Sequence, residues 1–135
     1  MKRERYLLDT CALLWLLSGD KRIKSFWEKH KDYYPDWAIS MDSLKEILYK
    51  KERKKLNLAL TYSQIIEALG DNNLQICNFE KKDLDVLSNL PFFEDHKDPN
   101  DRSIIAVAIS RKRVMVTSDT DFSRYEKYGL KLLQI

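Results

Sequence analysis

Short apolar runs alternate along the chain with segments in which apolar residues recur at helical spacing. The runs are bounded by polar or turn-forming residues and are too short for helices, which is typical of buried strands. Alternating strands and helices predict a single α/β domain, residues 1–135, whose central, mostly parallel sheet has helices on both faces. The predicted strands cover residues 6–8, 37–39, 74–77, 114–117 and 130–135.

Capping and stop signals set the expected ends of the helices. Thr10 is expected to cap the first helix, which Ser18 and Gly19 end. Ser40 is expected to cap the third, and Gly70 to stop the fourth. The predicted helices cover residues 12–17, 21 to about 34, a segment after Ser40, 58–69, 83–90 and a segment that begins at Pro99, with a short turn or helix at 121–128.

Within the stretch 96–119, acidic residues stand at the start of a predicted helix and just after the end of a predicted strand. Asp98 followed by Pro99 is a helix start signal, and Asp101 falls in the first turn, where the helix dipole favours negative charge. The run 114–117 then delivers Asp119 at the carboxyl end of a strand. In open parallel sheets, ligand crevices form outside that end of the strands.

Size and composition fit one globular domain that needs neither disulfide bonds nor a structural metal for stability. A chain of 135 residues is long enough to bury a stable core. Cys11 and Cys77 have neither disulfide-framework nor zinc-site spacing, which favours a reducing, cytoplasmic compartment. The apolar N-terminal stretch is interrupted by Asp9 and is far shorter than the roughly 18 residues of a membrane span, so we expect no signal peptide and no membrane association.

The chain has a net charge of +3, and its charged residues are unevenly distributed along the sequence. Residues 1–60 hold 14 Lys or Arg against 9 Asp or Glu, whereas residues 61–135 hold 10 against 12. A basic half beside an acidic half fits a protein that attracts a polyanion and holds a cation, although an ordinary mixed-charge surface explains the charge equally well. The basic run at 50–55 is open to the same two explanations, a solvated helix end or a nucleic-acid contact.

Asp9 and Asp119 occupy equivalent positions, because each closely follows the end of an apolar strand. If both strands are parallel and central, these carboxylates share one edge of the sheet, and Asp101 reaches them if its helix starts at that edge. Clustered carboxylates repel one another unless a cation neutralises them, and carboxylate oxygens suit Mg²⁺ or Mn²⁺. Such an ion would serve phosphodiester hydrolysis.

Each acid also has a purely structural explanation. Asp9 can cap the first helix, Asp101 can be a first-turn helix acid, and Asp119 and Asp121 can be turn or capping residues. Glu46 can pair with Lys50 at i,i+4 spacing, a contribution of about 0.3–0.5 kcal/mol. The residue pattern alone leaves the joint metal site and these alternatives open.

Four segments follow one another over nearly the whole chain: YLLDTCALLWLL, ISMDSLKEILYK, HKDPNDRSIIAVAI and VMVTSDTDF. In this order and spacing they resemble the PIN-domain nucleases and especially the VapC-like toxins of bacterial toxin–antitoxin pairs. Each segment contributes one acid with its flanking apolar pattern. The resemblance implies a three-layer PIN-like fold and a Mg²⁺-dependent endoribonuclease, for which Mn²⁺ could replace Mg²⁺. It also implies an RNA substrate, an antitoxin protein as partner, and a homodimer.

The resemblance also assigns roles to individual residues. Asp9, Glu46, Asp101 and Asp119 match the catalytic acids, and Asp9, Asp101 and Asp119 are those expected to hold metal directly or through water. Glu46 is expected to orient water or a second ion. Supporting roles are expected for Thr10, Thr117, Arg102 and Asp121, the last as a possible fifth acid.

Some positions depart from the commonest family pattern. Cys11 stands where His is frequent, Lys45 where an aromatic residue is frequent, and Asn100 where an aromatic or small residue usually precedes the D-R pair. We interpret Cys11 as a small buried packing residue and His96 as a surface loop histidine, each in preference to a functional role.

Two other functions compete with the nuclease. One is a catalytically silent RNA-binding or protein-interaction module of the same fold, which the presence of all the acids disfavours. The other is a phosphoacceptor signalling domain, which also uses strand-end acids around Mg²⁺. The residues that follow the second and third strands, Ser40 and Asn78, disfavour it.

Overall fold

A computed structural model describes residues 4–30 and 36–135 of the chain. Five strands form one parallel sheet in the order β3-β2-β1-β4-β5, so β1 and β4 lie beside each other at its centre. The predicted parallel α/β fold is therefore confirmed, with an all-parallel sheet among the described residues. The strands are β1 (Tyr6–Leu8), β2 (Trp37–Ser40), β3 (Leu74–Cys77), β4 (Val114–Thr117) and β5 (Lys131–Gln134).

Helices cover both faces of the sheet and form two hydrophobic layers with it. One layer packs the first four helices on one face, around Leu8, Ile39 and Val116. The other packs the remaining helices on the opposite face, around Leu7 and Met115. The helices are α1 (Thr10–Ser18), α2 (Lys21–His30), α3 (Met41–Glu52), α4 (Tyr62–Asp71), α5 (Lys81–Asn89), α6 (Pro99–Arg111) and a 3₁₀ helix (Thr120–Tyr128).

Alternation of side chains along β1 explains the two layers. Tyr6 and Leu8 face one layer and Leu7 faces the other, and all three are buried. A central strand that is covered on both faces reads as a continuous apolar run, as observed here. The first polar residue after such a run leaves the sheet at its carboxyl edge, which is where Asp9 lies.

The start of α1 differs from the prediction. Asp9, not Thr10, is the N-cap, and its side chain accepts a hydrogen bond from the backbone N–H of Ala12. Thr10 is the first helical residue. Gly19 ends the helix as predicted, in a left-handed conformation at φ 73°.

The predicted bounds of α4 and α5 were wrong. Thr61 and Gln64 form a reciprocal capping box, so α4 begins four residues later than expected and continues through Gly70. At α5, Asp83 accepts a hydrogen bond from the backbone N–H of Glu80, which places the helix start at Lys81 and Asp83 at its third position. The predicted end of α2 near residue 34 lies outside the described residues.

The basic run at 50–55 straddles the end of α3, which ends at Glu52. Its residues 52–55 are exposed, as for a solvated helix end, but Lys50 turns back to form an ion pair with Glu46. Among the described residues, none of the helices has the length and apolar character needed to cross a membrane.

Candidate active site

The carboxyl ends of β1 and β4 bring the first functional side chains together. The backbone N–H of Asp9 donates to the carbonyl of Val116, which continues the pairing of the two strands beyond β1. The hydroxyl of Thr117 donates to Asp9 Oδ2 at 2.5 Å and accepts from the backbone N–H of Asp119 at 3.0 Å. Thr117 is fully buried and therefore fixes both acids relative to the sheet.

Helix α3 brings Glu46 to the same edge. Its Oε2 accepts a hydrogen bond from the hydroxyl of Thr10 at 2.9 Å, and its Oε1 lies 3.1 Å from Lys50 Nζ. The Thr10 hydroxyl also lies 3.0 Å from the hydroxyl of Ser43, which is buried. Glu46 is thus held on both oxygens, and the i,i+4 ion pair foreseen from sequence is present together with a contact across the cleft.

The amino end of α6 supplies Asp101. Asp98 is the N-cap, as predicted, and its Oδ1 accepts from the backbone N–H groups of Asn100 and Asp101. Pro99 occupies the first turn. This cap orients the first turn of α6 so that the Asp101 carboxylate faces the sheet edge, where its Oδ2 lies 3.8 Å from His96 Nε2.

These side chains surround one open cleft of about 530 Å³. All four acids that the sequence singled out, Asp9, Glu46, Asp101 and Asp119, line it, as do Thr10 and Asp98. The remaining lining residues, most of which sequence reasoning missed or set aside, are Cys11, Leu14, Lys50, Ser118 and Phe122.

Burial and mutual repulsion perturb two of the acids. Desolvation, with repulsion from Asp119 and Glu46, raises the pKa of Asp9 from 3.8 to about 6, although hydrogen bonds from Thr117 and Ala12 oppose the rise. Desolvation and the charges of Asp98, Glu46, Asp119 and Asp9 raise the pKa of Asp101 from 3.8 to about 7. A cluster of acids in this condition gains stability from a cation.

Of the supporting residues, Thr10 lines the cleft, whereas Thr117, Arg102 and Asp121 lie outside its lining. Thr117 is buried and forms hydrogen bonds with the Asp9 carboxylate and the backbone N–H of Asp119. The guanidinium of Arg102 donates to the carbonyl of Pro91 at 2.7 Å. The backbone N–H of Asp121 donates to Asp119 Oδ1, while its exposed side chain lies 3.6 Å from Arg124. No contact among the described residues brings the Asp121 carboxylate into the acidic cluster.

Two sequence-based interpretations were wrong. His96 is 7% exposed rather than a surface residue, because Tyr125 and Phe122 of the 3₁₀ helix pack on it. Cys11 is half-buried and lines the cleft, where the Ser118 hydroxyl lies 3.5 Å from its sulfur. The sequence predicts Lys50 as a partner of Glu46 and as part of the basic run 50–55, but not as a residue of the cleft. The i,i+4 spacing was the available signal, but it does not reveal that the pair faces a cleft.

The donor atoms of this cluster can be tested for their fit to a divalent cation. His96, Asp101 and Asp119 each offer one ligand atom, and these atoms lie within 4.8 Å of one another. Carboxylate oxygens suit Mg²⁺ and Mn²⁺, and an imidazole nitrogen is also a metal ligand. Burial first, and then the neighbouring carboxylates, raise the pKa values of Asp9 and Asp101, and a bound cation would favour the charged forms of both acids. The residues present therefore fit a divalent cation.

Comparisons with known proteins agree with this fold. Three of the similar solved structures are VapBC2 from Rickettsia felis bound to a promoter DNA fragment, DNA-bound VapBC from Salmonella typhimurium, and VapBC-1 from nontypeable Haemophilus influenzae. Their identities to this chain are 21%, 17% and 18%, with TM-scores of 0.71, 0.67 and 0.66. The matches cover 96%, 97% and 96% of this chain and 97%, 98% and 96% of the respective matched chains.

No curated protein sequence matches the chain significantly. The family model described as PIN domain matches residues 6–128, which span β1 through the 3₁₀ helix and include every acid of the cleft. The chain belongs to the PIN-domain family.

Proposed function

We propose that this PIN-domain protein is a divalent-metal-dependent endoribonuclease and the toxin of a toxin–antitoxin pair. The observation that carries the proposal is the convergence of Asp9, Glu46, Asp101 and Asp119 on one open cleft. They come from the ends of β1 and β4 and from two helices. A hydrolytic metal site requires several carboxylates in one cavity, supplied by separate elements. Their mutual repulsion destabilises the fold, which favours a functional explanation of the cluster.

Asp9, Asp101 and Asp119 are the residues that would hold the cation. A divalent ion there would neutralise charge on the phosphodiester and lower the pKa of the attacking water. Asp9 keeps its orientation through the hydrogen bonds from Ala12 and Thr117, so that it enters the reaction already positioned.

Glu46 is suited to hold and orient water beside the scissile phosphate. Its carboxylate lines the cleft and is fixed by the Thr10 hydroxyl and by Lys50. Lys50 lines the same cleft and offers an ammonium group to a phosphate oxygen.

RNA is the proposed substrate. The basic first 60 residues supply Lys50 at the cleft and the exposed residues Arg53, Lys54 and Lys55 beyond it. A basic border attracts a polyanion by long-range electrostatics. The DNA in two of the similar complexes is a property of those complexes and is not assigned to this chain.

The toxin role rests on the similarity to VapBC complexes. We further propose, from the same resemblance, that an antitoxin protein inhibits the nuclease, that the chain forms a homodimer and that it acts in the cytoplasm. A partner with basic side chains would be attracted to the acidic cleft. Growth arrest on expression, relieved by co-expression of the product of a neighbouring gene, tests the toxin role.

The enzymatic test is cleavage of a panel of cellular RNAs with Mg²⁺, with Mn²⁺ and with EDTA. We expect cleavage only with metal, and losses of about a hundredfold or more in Asp9→Ala and Asp101→Ala. Asp85→Ala is the matched control, since Asp85 is an exposed acid of α5. RNA binding that is unchanged in the site variants, without metal-dependent turnover, would overturn the proposal in favour of a silent binding module.

A further inference from the structure

The imidazole of His96 is held rigidly beside the acidic cluster. Its side chain is 6% exposed, and its Nδ1 lies 2.8 Å from the hydroxyl of Tyr125. The ring of Phe122 contacts it edge-on, at a centroid distance of 5.4 Å, and the Tyr125 ring packs at the same distance. Its backbone is also fixed, because His96 forms an isolated bridge with Phe93.

The second ring nitrogen of His96 lacks a hydrogen-bond partner among the described residues. Nε2 is buried and lies 3.8 Å from Asp101 Oδ2, which is too long for a hydrogen bond. A buried polar atom without a partner destabilises the fold, so an atom in this position indicates a partner that completes the site.

The geometry around Nε2 fits a cation. One ligand atom each from His96, Asp101 and Asp119 lies within 4.8 Å of the others. Ligands at about 2.1 Å from one ion lie about 3.0 to 4.2 Å apart, and His96 Nε2 is already 3.8 Å from Asp101 Oδ2. Modest side-chain shifts would bring all three atoms to coordination distance. Asp101 is in the first turn of α6 and Asp119 caps the 3₁₀ helix, so the acids approach from different elements.

Tyr125 suits the role of a partner that orients a ligating histidine. Histidines that bind metal usually donate the other ring N–H to an oxygen, which fixes the ring and leaves the ligating nitrogen unprotonated. In the tautomer that carries Nδ1–H, the imidazole donates to the Tyr125 hydroxyl and its lone pair is on Nε2, which lies 3.8 Å from Asp101 Oδ2. Tyr125 is itself fully buried, so its hydroxyl is held in place by the core.

We propose that His96 Nε2 is a nitrogen ligand of a divalent ion shared with Asp101 and Asp119, which gives this site a preference for first-row transition metals such as Mn²⁺ over Mg²⁺. The inference rests on the metal site of the proposed function and adds a ligand to it. A nitrogen donor favours transition metals, because Mg²⁺ takes oxygen ligands almost exclusively.

The test uses Mn²⁺ as a spectroscopic probe. The chain contains two histidines, His30 and His96, and His30 lies on α2 against Tyr6 and Phe26 and does not line the cleft. Pulsed electron paramagnetic resonance detects directly coordinated nitrogen on Mn²⁺. In the unsubstituted full chain we expect a nitrogen coupling that changes frequency when histidine alone carries ¹⁵N, and that persists in His30→Gln.

Calorimetry supplies the second measurement. We expect His96→Gln to abolish the nitrogen coupling and to weaken Mn²⁺ binding about tenfold or more, with a smaller change for Mg²⁺. Tyr125→Phe should retain the coupling but weaken Mn²⁺ binding several-fold, because the ring loses the hydroxyl that orients it.

The outcomes separate this inference from the proposed function. Mn²⁺ that binds without a histidine nitrogen coupling overturns the inference and leaves a metal site made of carboxylates. The same result assigns His96 a packing role. Failure of the chain to bind Mn²⁺ or Mg²⁺ at millimolar concentration overturns both. The unsubstituted protein decides the question, so the result does not depend on whether His96→Gln folds.

Discussion

Asp9 has both of its carboxylate oxygens engaged by the protein itself. Oδ1 caps α1 through the backbone N–H of Ala12, and Oδ2 accepts the Thr117 hydroxyl. Each oxygen retains a further lone pair for a ligand. A single residue therefore joins the first strand to the first helix, connects β1 to β4, and offers a charge to the cleft. The structural and functional explanations of this residue are compatible.

Thr117 is the residue whose hydroxyl couples the two strand-end acids. We expect Thr117→Val to cost about 1–3 kcal/mol of stability, because Asp9 Oδ2 and the N–H of Asp119 lose a buried partner. The hydrogen bond from Thr117 lowers the pKa of Asp9, so its removal raises that pKa further above about 6. RNA cleavage should fall at neutral pH and recover partly at about pH 9.

Thr117→Ser is the matched control, because it retains the hydroxyl and removes only a methyl group. The pH dependence of RNA cleavage by the serine variant should match that of the unsubstituted protein. Equal profiles for the valine and serine variants would show that the hydroxyl has no influence on the ionisation of Asp9.

At the scale of elements, the strand-end acids were predictable and their surroundings were not. An apolar run that ends in an acid is a local signal, and both β1–Asp9 and β4–Asp119 follow it. The proximity of Glu46 depends on the rotation of α3 about its axis, so residue pattern alone left it open and only the family resemblance singled it out. The side-chain geometry now brings it to the cleft through Thr10.

The wrong predictions for the exposure of His96 and for the start of α4 have identifiable physical causes. The burial of His96 is produced by Tyr125, which is 29 residues further along the chain, and no local pattern reports that contact. Residues before α4 were misread because Leu58 and Leu60 pack on the core from a non-helical segment. Their spacing continues the apolar pattern of the helix, whereas the Thr61 capping box was the better signal.

Substitutions of Asp98, the N-cap of α6, can separate the effect of its capping hydrogen bonds from the effect of its charge. Asp98→Ala should cost about 1 kcal/mol, because the N–H groups of Asn100 and Asp101 lose their acceptor. Asp98→Asn retains an acceptor oxygen and should be nearly as stable as the unsubstituted protein. Both changes remove a charge that raises the pKa of Asp101, so that pKa should fall below about 7. Thermal unfolding and carboxyl carbon NMR titration measure the two effects. Equal instability of both variants would contradict the capping role.

Helices α5 and α6 are joined by a buried ion pair. Asp83 is fully buried, and its oxygens accept two hydrogen bonds from Arg111 at 3.1 and 2.8 Å. Asp83→Ala should cost about 3 kcal/mol in urea unfolding, because Arg111 loses its buried carboxylate partner. Arg111 would keep the Asn78 carbonyl and the exposed carboxylate of Glu80. Asp85→Ala, which affects an exposed pair with Lys81, should cost less than about 1 kcal/mol.

The same ion pair predicts a pH dependence. Burial alone would raise the pKa of Asp83, but hydrogen bonds from Arg111 and the Glu80 backbone outweigh it and the pKa is lowered. Its contribution to stability is therefore present above the unfolded pKa of 3.8 and is lost as pH falls through the folded pKa. The difference between Asp83→Ala and the unsubstituted protein should accordingly shrink in strong acid. A constant difference would argue against an ionic contribution.

At the scale of the whole molecule, the acidic cleft opposes the stability of the fold that builds it. Asp9 and Asp101 have folded pKa values of about 6 and about 7, above their usual 3.8. The folded state therefore binds more protons than the unfolded state across this range, and its stability falls as pH rises from about 4 to about 7. For Asp9 alone the rise corresponds to a loss on the order of 3 kcal/mol.

A divalent cation should reverse this loss, because it binds the deprotonated, folded cluster. Without metal, we expect the melting temperature to be lower at pH 8 than at pH 5. Saturating Mn²⁺ or Mg²⁺ should raise it at pH 8 by on the order of 10 °C at a hundred times the dissociation constant, and by much less at pH 5, where protons compete. Asp101→Asn should flatten the pH dependence and reduce the metal effect, whereas Asp85→Asn should change neither. An equal metal effect at both pH values would mean that the cation binds elsewhere than at Asp9 and Asp101.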